Sequence, residues 1–534
     1  MRLRASTAAL ALVAALALPA QAAGGGVQAP PIPSGRSLAA LVANDHALLA
    51  LRGGPRAERL VAAAGGRLVS VALRLWRVDG GAAARLVPAL SRRGLLRYAE
   101  PDRVRVRHEH LDQGDPLLGL AWHLTAIGVD RVEPPGPGVP VTIVDTGIDL
   151  THPEFVTRPD VVLLNEQSVP AFGEEEYHGT IVASTIGAPS DGIGTVGVYP
   201  SAVLRSYDLA RLEDSDIIAG IDAAIAAGPS VINFSLGGPG FSRALYEAVM
   251  RAVGSGSLVV AAAGNDFLDG DPVVFPADFP HVLTVAATDT LDFPAVFSSS
   301  SAAIDLAAPG VGIPVQDPAD PGAHRTFHGT SVAAPIVSAA AAWVWTARPE
   351  LDPTQLFELL RRTARDVAEP GFDERAGFGI LSIPDALQAP ALPRDPQEPN
   401  DDVDLVEARG VFRTSKPPLT GPGRRRAVLV ARIDAAEDPG DVYRVFVPAG
   451  RTLQATVSPD ADVGVTLWHP RTRTVSAGGS AARRNQLASS DRPGRRTEAL
   501  RWRNATGRGV TAFLEIWLPH RSVRAGYTLQ VRTI

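Results

Sequence analysis

The strongest constraint on the fold is a series of short apolar runs between residues 115 and 387 that alternate with segments of helical periodicity. Strands buried on both faces are nearly continuous in apolar residues, and alternation with helices is typical of a parallel sheet covered on both sides. We therefore predict an α/β fold with a doubly wound parallel sheet. The predicted strands are 141–144, 203–207, 231–234, 258–262 and 282–286, and the predicted helices are 215–227, 242–253, 331–345 and 353–363.

Further domains are predicted on both sides of this core, which spans 115–390. Residues 37–107 have the order β-α-β-β-α-β, which indicates a small ferredoxin-like α+β unit. A Pro-containing linker at 391–400 leads to 401–534, where short alternating segments separated by turns predict an antiparallel β-sandwich. Its predicted strands are 443–447, 453–457, 463–468, 513–517 and 527–531.

The N-terminus and the composition indicate an exported protein. A basic start, an apolar segment at 8–18 and Ala20-Gln21-Ala22 form the pattern of a signal peptide over 1–22. The apolar segment is shorter than the roughly 20 residues that span a bilayer, so we expect no membrane anchor. The chain has no cysteine, which excludes disulfides and thiolate chemistry. A net charge of −6 gives no reason to expect a nucleic acid partner, and we expect a monomer.

Three residues have the chemistry of a nucleophilic site. Asp145 follows an apolar strand, His178 begins a short apolar helix, and Ser331 lies between small residues at the start of an Ala-rich helix. Taken singly, the Asp could cap a turn and the His could cap a helix. Together they supply the nucleophile, the base and the group that orients the base in acyl transfer.

The segments around these residues resemble the signatures of subtilisin-like serine proteases, the subtilases. The matching segments are Asp145-Thr146-Gly147, His178-Gly179-Thr180 and Gly329-Thr330-Ser331-Val332-Ala333-Ala334-Pro335. The resemblance implies that Ser331 attacks the peptide carbonyl, that His178 transfers the proton and that Asp145 holds the imidazole. Their order along the chain is the order found in subtilisin.

Two segments between these motifs also resemble subtilases. Asn265, after Ala261-Ala262-Ala263-Gly264, is implied as a donor to the oxyanion together with the Ser331 N–H; the alternative is an Asn that closes a Gly turn. Ser235, Leu236, Gly237 and Gly238 are implied as a substrate-binding edge whose glycines leave room for the P1 side chain; the alternative is a plain loop. We expect only a scaffolding role for Phe275-Pro276-Ala277 and for 305–310.

The flanking regions carry resemblances of their own. Residues 37–107 are similar to the inhibitor-like propeptides of subtilases, which implies that the chain's own propeptide acts as inhibitor and chaperone and is cut between Arg107 and Asp115. Residues 401–534 are similar to the bacterial pre-peptidase C-terminal family. The matching segments are Gln397-Glu398-Pro399-Asn400-Asp401, Asp441-Val442-Tyr443, Pro448-Ala449-Gly450 and Gly526-Tyr527-Thr528-Leu529.

These resemblances imply that no cofactor is required for the chemistry, whereas structural calcium is frequent in both families. No stretch has the acidic spacing of an EF-hand. Asp401, Asp402 and Asp404 either bind an ion or cap and solvate the chain, and the sequence assigns no metal site.

The sequence as a whole indicates a secreted serine endopeptidase that acts on proteins or peptides through an acyl-enzyme. A catalytically silent peptide-binding relative and a secreted esterase are the alternatives. The chain departs from the common subtilase pattern at Tyr177 and Ile181, and Glu174-Glu175-Glu176 makes an acidic approach to the site. That run either favours basic substrates or is simply a solvated loop.

Overall fold

The computed structural model describes residues 46–52, 55–70, 74–101, 115–158, 160–166, 177–317, 324–408, 410–476, 484–519 and 523–534. The chain divides into two compact units, Met1–Arg107 and His108–Ile534. The signal segment, the strand residues predicted at 104–106, the interior of the cleavage window at 108–114 and the acidic run at 174–176 lie outside the described residues.

The first unit has the predicted order of elements. They are β1 (His46–Leu51), α1 (Pro55–Ala63), β2 (Arg67–Ser70), β3 (Leu75–Asp79), α2 (Gly80–Arg92) and β4 (Leu96–Pro101). The sheet order is β2-β3-β1-β4, and all neighbouring strands are antiparallel. Asp79 caps α2 by accepting a hydrogen bond from the Ala82 N–H. Leu49, Val61 and Leu90 pack in one apolar core between the sheet and the helices.

The second unit begins with a seven-stranded parallel sheet, as the apolar runs predict. Its order is β13-β12-β10-β8-β5-β7-β6, and small antiparallel pairs join β9 to β11 and β14 to β15. The strands are β5 (Val141–Asp145), β6 (Val162–Leu163), β7 (Leu204–Asp208), β8 (Val231–Phe234), β9 (Gly238–Pro239), β10 (Leu258–Ala262), β11 (Val274–Phe275), β12 (Val282–Thr288), β13 (Ile304–Pro309), β14 (Ile313–Gln316) and β15 (His324–Phe327).

Helices cover both faces of this sheet because its strands are apolar on both sides. The helices are α3 (Trp122–Ala126), α4 (Pro153–Val156), α5 (His178–Gly187), α6 (Asp214–Ala226), α7 (Arg243–Gly254), α8 (Thr330–Ala347), α9 (Pro353–Arg362) and α10 (Ile383–Gln388), with 3-10 turns at Leu118–Leu120, Val129–Arg131 and Phe267–Asp269. On β5, Ile143 packs in the core that contains α5 and α8, whereas Val144 packs in the core that contains α6 and α7.

The strand order reverses at β5, since β7 lies on one side of it and β8 on the other. In open parallel sheets, sites form outside the carboxyl ends of the strands at such a switch point. Asp145 is the last residue of β5, so the fold places it where this rule expects a site.

The helix α8 crosses the interior of the unit. Of the helices described, it alone is long and apolar enough to cross a membrane, but most of it is buried inside the protein. Such burial is expected for the central helix of a large core.

The last part of the second unit is the predicted antiparallel sandwich, preceded by α11 (Val403–Val406). Its sheets have the orders β16-β23-β18-β21 and β17-β22-β19-β20, and inward residues such as Ile433, Tyr443 and Leu514 share one core. The strands are β16 (Arg426–Asp434), β17 (Gly440–Val447), β18 (Thr452–Pro459), β19 (Gly464–Trp468), β20 (Gln486–Asp491), β21 (Glu498–Arg503), β22 (Val510–Trp517) and β23 (Arg524–Thr533).

The sandwich meets the parallel-sheet part through buried charges. Arg361 on α9 is 4% exposed and lies 3.0 Å from a carboxylate oxygen of Asp305 on β13 and 3.2 Å from one of Asp434 on β16. One guanidinium thus joins the two parts of the unit.

Candidate active site

Asp145 is held rigidly at the end of β5. Its side chain is buried, and its Oδ1 accepts hydrogen bonds from the Thr146 N–H and from His178 Nδ1, both at 2.8 Å. Since a carboxylate only accepts, the proton of this pair belongs to Nδ1. The arrangement therefore leaves the Nε2 lone pair of His178 to act as a base.

His178 is positioned by the start of α5. The Gly179 N–H donates to Thr146 Oγ1 at 2.9 Å, and a Cβ atom on Gly179 would lie 2.2 Å from the Gly147 carbonyl oxygen. Only glycine permits this close approach of the two chain segments. The ring of Phe327 contacts the imidazole edge-on, with centroids 6.1 Å apart.

The charge of Asp145 raises the pKa of this imidazole. Burial lowers the pKa of His178, but the Asp145 carboxylate attracts the imidazolium and accepts its hydrogen bond, so that the net pKa is raised above the ordinary 6.5. The carboxylate thereby makes Nε2 of His178 a stronger base.

Ser331 is the second residue of α8 and is 8% exposed. The helix begins after Gly329, whose φ of 152° lies at the limit of the left-handed region that favours glycine. Because the first N–H groups of a helix have no partner within it, the start of α8 presents main-chain donors beside the hydroxyl.

Asn265 follows β10 and faces the same space. Its Oδ1 accepts hydrogen bonds from the Thr330 N–H at 2.9 Å and the Thr330 hydroxyl at 3.0 Å, which fixes the amide with Nδ2 as the available donor. A Cβ atom on Gly329 would lie 3.0 Å from Ser331 Oγ and 3.6 Å from Asn265 Nδ2. The two groups therefore border one small volume that the glycine leaves open.

The predicted substrate-binding segment begins at the end of β8. Ser235 is buried and accepts a hydrogen bond from Asn233 Nδ2 at 3.0 Å, while Asn233 Oδ1 accepts one from Ser338 on α8 at 2.8 Å. Leu236 is half-buried, and Gly238 pairs with Phe275 in the β9–β11 ladder. A Cβ atom on Gly237 would lie 2.7 Å from Val274 Cγ1, so one side of this glycine faces a side chain.

Sequence reasoning did not assign roles to several residues at this site. Thr146 and Thr330 help to position His178 and Asn265 through the hydrogen bonds described above. Both threonines lie inside the quoted motifs, and their hydroxyl groups are the sequence feature that could have identified these roles. Phe327 precedes the third motif. Val274 adjoins Phe275-Pro276-Ala277, a segment for which only a scaffolding role was expected.

A doubly wound α/β fold that has Asp145 at the end of β5, Asn265 after β10, and His178 and Ser331 at the starts of α5 and α8 has the residue types of a serine hydrolase. Comparison with known proteins narrows this class, since the model of the subtilase family matches residues 136–379. Subtilisin from Bacillus pumilus is 36% identical over 259 residues, which are 47% of this chain and 92% of that protein. The chain therefore belongs to the subtilase family of serine proteases.

A second relative is longer. Fervidolysin from Fervidobacterium pennivorans is 34% identical over 358 residues, which are 58% of this chain and 50% of that protein. The chain thus spans half the length of that relative. The crystal structure of fervidolysin superposes with a TM-score of 0.47 at 22% identity, and the match covers 85% of this chain and 84% of that one.

Proposed function

We propose that this subtilase is a secreted serine endopeptidase. The observation that carries the proposal is the hydrogen bond of 2.8 Å between Asp145 and His178 at the switch point of the sheet, and the position of Ser331 at the start of α8 supports it. In this mechanism, Ser331 Oγ attacks the scissile carbonyl carbon while His178 Nε2 takes the hydroxyl proton. Asp145 keeps the imidazole in the required tautomer and stabilises the imidazolium.

The negative oxygen of the tetrahedral intermediate is stabilised by Asn265 Nδ2 and the Ser331 N–H. The imidazolium then gives its proton to the leaving amine, which leaves an acyl-enzyme ester on Ser331. Water adds to this ester with His178 again as base, and the carboxylic acid product departs. Each turnover consumes one water and returns every protein group to its starting state.

The substrate chain is recognised mainly through its backbone. The segment Leu236 to Gly238 follows β8, and its last residue, Gly238, pairs with Phe275 in the short β9–β11 ladder. An extended peptide laid along this segment gains main-chain hydrogen bonds as an added strand. This mode favours internal segments of proteins and hence endopeptidase activity over hydrolysis of simple esters.

Labelling at the serine tests the enzyme proposal. We expect a fluorophosphonate to label the mature protein at Ser331 and the Ser331→Ala variant not at all. A folded protein that remains unlabelled would be the catalytically silent relative. Comparing turnover of casein with that of p-nitrophenyl acetate distinguishes a protease from an esterase, because an esterase would hydrolyse the ester while leaving casein intact.

Self-processing follows from the same chemistry. We propose that the unit at 37–107 is the inhibitor and chaperone of the enzyme and that the enzyme removes it by a cut between Arg107 and Asp115. N-terminal sequencing of the exported protein should find a start in that window. The Ser331→Ala form should remain full length after removal of the signal peptide, and equal processing of both forms would contradict self-cleavage.

The calcium that is frequent in subtilases fits a buried acidic cluster where the sandwich meets the parallel-sheet part. His281, Glu398, Asp401 and Asp438 offer ligand atoms that all lie within 4.8 Å of one another. The side chain of Glu398 is 5% exposed and that of Asp401 is 7% exposed. Neither oxygen of Glu398 accepts a hydrogen bond, nor do Asp401 Oδ2 and Asp438 Oδ1, among the residues described.

The protein cations nearby do not balance this cluster. Asp395 and Asp441 add two more carboxylates around Glu398, whereas the only lysine of the chain, Lys416, donates to the main-chain oxygen of Gln397. Burial and neighbouring carboxylates raise the pKa of Glu398 and of Asp438 well above the ordinary value. Unpaired buried carboxylates cost several kcal/mol each, and hard oxygen ligands are those that Ca²⁺ takes.

We therefore propose that Glu398, Asp401 and Asp438 would hold a structural Ca²⁺ through their oxygens, while His281 of the parallel-sheet part bonds to Asp401 Oδ1 at 2.8 Å. Asp402 and Asp404, which the sequence also suggested as ion ligands, have other partners. Asp402 caps α11 at Val403, and Asp404 pairs with Arg243. The ion would neutralise charge and fasten the sandwich, and it has no part in the chemical steps.

Thermal unfolding of the Ser331→Ala protein tests the cation without interference from self-digestion. Added Ca²⁺ should raise its Tm above the value in EGTA, and the additional change Glu398→Gln should abolish the increase. The exposed Glu369→Gln change is the matched control and should leave the increase intact. Equal Tm values of the parent protein in Ca²⁺ and in EGTA would remove the cation from the proposal and leave the protease assignment untouched.

A further inference from the structure

One sheet of the sandwich carries a row of arginines that crosses all of its strands. The strand order of this sheet is β16-β23-β18-β21. Arg426 on β16 is paired with Arg532 on β23. Gln454 on β18 is paired with Arg532 on one side and with Arg501 on β21 on the other. Arg426, Arg532, Gln454 and Arg501 together form what we call the arginine row.

The arginine row lies on the outer face of the sandwich. Its neighbours in the sequence, such as Val531, Leu453 and Leu500, are buried in the core between the two sheets. Successive side chains of a strand point to opposite faces, so the row points away from that core. The arginines of the row are all exposed. The outer face therefore presents a line of guanidinium groups to the solvent.

The arginines of the row form no ion pair with a carboxylate side chain in the part of the chain that the structure describes. Asp434 is the last residue of β16 and lies about 27 Å along the strand from Arg426, its first residue. There it pairs with Arg361 and Arg524 at the junction with the parallel-sheet part. Like charges that face each other on neighbouring strands destabilise a sheet, and Arg426 and Arg532 are placed in this way. A bound anion would offset that repulsion.

The amide of Gln454 lies at the centre of the row. Its side chain is 6% exposed, and its Oε1 accepts a hydrogen bond from Arg532 Nε at 2.6 Å. Its Nε2 is buried and has no acceptor among the residues described. Because the amide oxygen is already bonded within the row, the groups that remain are all N–H donors. The complementary ligand is one that offers charged oxygen acceptors.

The next row of the same face is polar but uncharged. Gln530 on β23 is paired with Val428 and with Thr456, and Thr456 is paired with Ala499. Amide and hydroxyl groups of this kind exchange hydrogen bonds with sugar hydroxyls. These two rows hold no aromatic ring, whereas surfaces for single-stranded nucleic acids stack bases on aromatic side chains. The face therefore suits a polymer of sugars that carry acidic groups.

We propose that the arginine row binds an anionic polysaccharide through its carboxylate or sulfate groups. The fork of a guanidinium matches the paired oxygens of such groups. Neighbouring strands lie about 4.8 Å apart, so Arg426 and Arg532 are close enough to hold one acidic group while Arg501, two strands beyond Arg532, holds the next. The net charge of the whole chain is −6, so binding to a polyanion requires a local basic surface such as this one.

Binding of heparin, a sulfated polysaccharide, tests the proposal by isothermal titration calorimetry. The protein is the mature chain inactivated by fluorophosphonate, or the untreated chain if it takes up no label, so the result does not depend on protease activity. Changing Arg426, Arg501 and Arg532 together to Gln should raise Kd at least about 10-fold in about 0.15 M NaCl. The slope of log Kd against log salt concentration should fall by about 2 to 3.

A single change keeps the test independent of the packing of Gln454. Arg501→Gln leaves the hydrogen bond between Arg532 and Gln454 in place and should lower the salt slope by about 1. The Tm of the triple variant without heparin should equal or exceed that of the parent, because a like-charge pair is removed. A weaker affinity in a variant with this Tm therefore reports a lost contact and not a loss of folded protein.

The matched control changes Arg413, Arg471 and Arg473 to Gln. These side chains are also exposed and lie outside the sheet that carries the row. The control removes the same charge, and its Kd for heparin should stay within about threefold of the parent value. Equal losses of affinity in the control and the triple variant, or no binding by the parent, would refute the arginine row as a site. Tighter binding of a short DNA duplex than of heparin at the same salt concentration would refute the polysaccharide as its ligand.

Discussion

Charged side chains are buried in two regions of the second unit, and the two regions use them differently. At the active site one carboxylate faces one imidazole, and Asp145 Oδ1 accepts hydrogen bonds from both of its neighbours. At the junction with the sandwich, Arg361 is surrounded by Asp305, Glu358 and Asp434, and a group of carboxylates with unpartnered oxygens lies beyond it. The first arrangement serves proton transfer, whereas the second joins two parts of the unit through buried charged side chains.

This difference predicts that mutations in the two regions have different effects. Changes at the active site should alter rates and leave the folded structure intact, because its side chains lie at the edge of the sheet. Changes at the junction should alter stability and leave the chemistry of the folded protein intact, because the junction contains none of the reacting groups.

The largest effect is expected for Ser331→Ala. Removing the nucleophile should lower kcat for a peptide substrate by about 10⁶-fold, the size of the effect in subtilisin. Since an alanine fits any position that holds a serine, circular dichroism and the Tm should match those of a parent protein inactivated by fluorophosphonate, provided that added active enzyme first removes the propeptide of the variant. A variant that retained more than about one part in 10³ of the activity would assign the attack to another group.

The next largest effect is expected for Asp145→Asn. The change keeps the shape of the side chain but favours the wrong imidazole tautomer, and kcat should fall about 10⁴-fold. The raised pKa of His178 also predicts the pH dependence. Activity of the parent should rise with pH through a midpoint above 6.5, because only the neutral imidazole acts as base.

The acid limb separates an electrostatic role of Asp145 from a merely steric one. In the Asn variant the attraction that raises the pKa is gone while burial still lowers it, so the midpoint of kcat/KM should move to lower pH. The same pKa adds stability below pH 6.5 that is lost as pH rises through the folded-state value. An unchanged acid limb in Asp145→Asn would contradict this account.

A smaller effect is expected for Asn265→Ala. Loss of one donor to the oxyanion should lower kcat by about 10²–10³-fold with little change in KM, since the amide contacts the oxygen mainly when it is charged. Steady-state kinetics on a peptide p-nitroanilide substrate give both constants. A rise in KM at constant kcat would instead place Asn265 in ground-state binding.

The sequence was sufficient to predict those strands and helices whose burial in the fold matches the pattern of apolar residues in their own segment. The strands 231–234 and 258–262 have the predicted limits, because a doubly covered strand is a continuous apolar run with sharp ends. β13 was missed because Asp305 interrupts its apolar pattern, and that carboxylate is buried only because Arg361 reaches it from α9. Pairings between distant segments leave no local periodicity to detect.

The site shows the same limit. The motifs around Asp145, His178 and Ser331 locate the reacting groups, because acyl transfer requires those residue types. The position of Val274 between Gly237 and Gly264 could not be predicted from its neighbours in the sequence. It depends on how β11 pairs with β9 in the folded chain. Glu398 and Asp438 are separated by 40 residues of chain that include β16, and only the folded sandwich brings them together.

The smallest effect on rate, and the sharpest test of the comparison, is expected for Arg361→Ala. Removing the guanidinium leaves Asp305 and Asp434 buried without their shared partner, which should cost about 3–5 kcal/mol in the free energy of unfolding. In a Ser331→Ala background this cost should appear as a lower urea midpoint. In the active enzyme, kcat per active site titrated with fluorophosphonate should stay within about twofold of the parent, because none of the reacting groups contacts Arg361.

The adjacent Arg362→Ala is the control, because this side chain is exposed and, within the part of the chain that the structure describes, donates a hydrogen bond to the Pro390 carbonyl oxygen alone. It should shift the urea midpoint by an amount equivalent to no more than about 0.5 kcal/mol. If Arg361→Ala lost kcat under conditions in which all of the protein is folded, the junction would be shown to act on the active site. The separation of the two charged regions into a chemical one and a structural one would then be wrong.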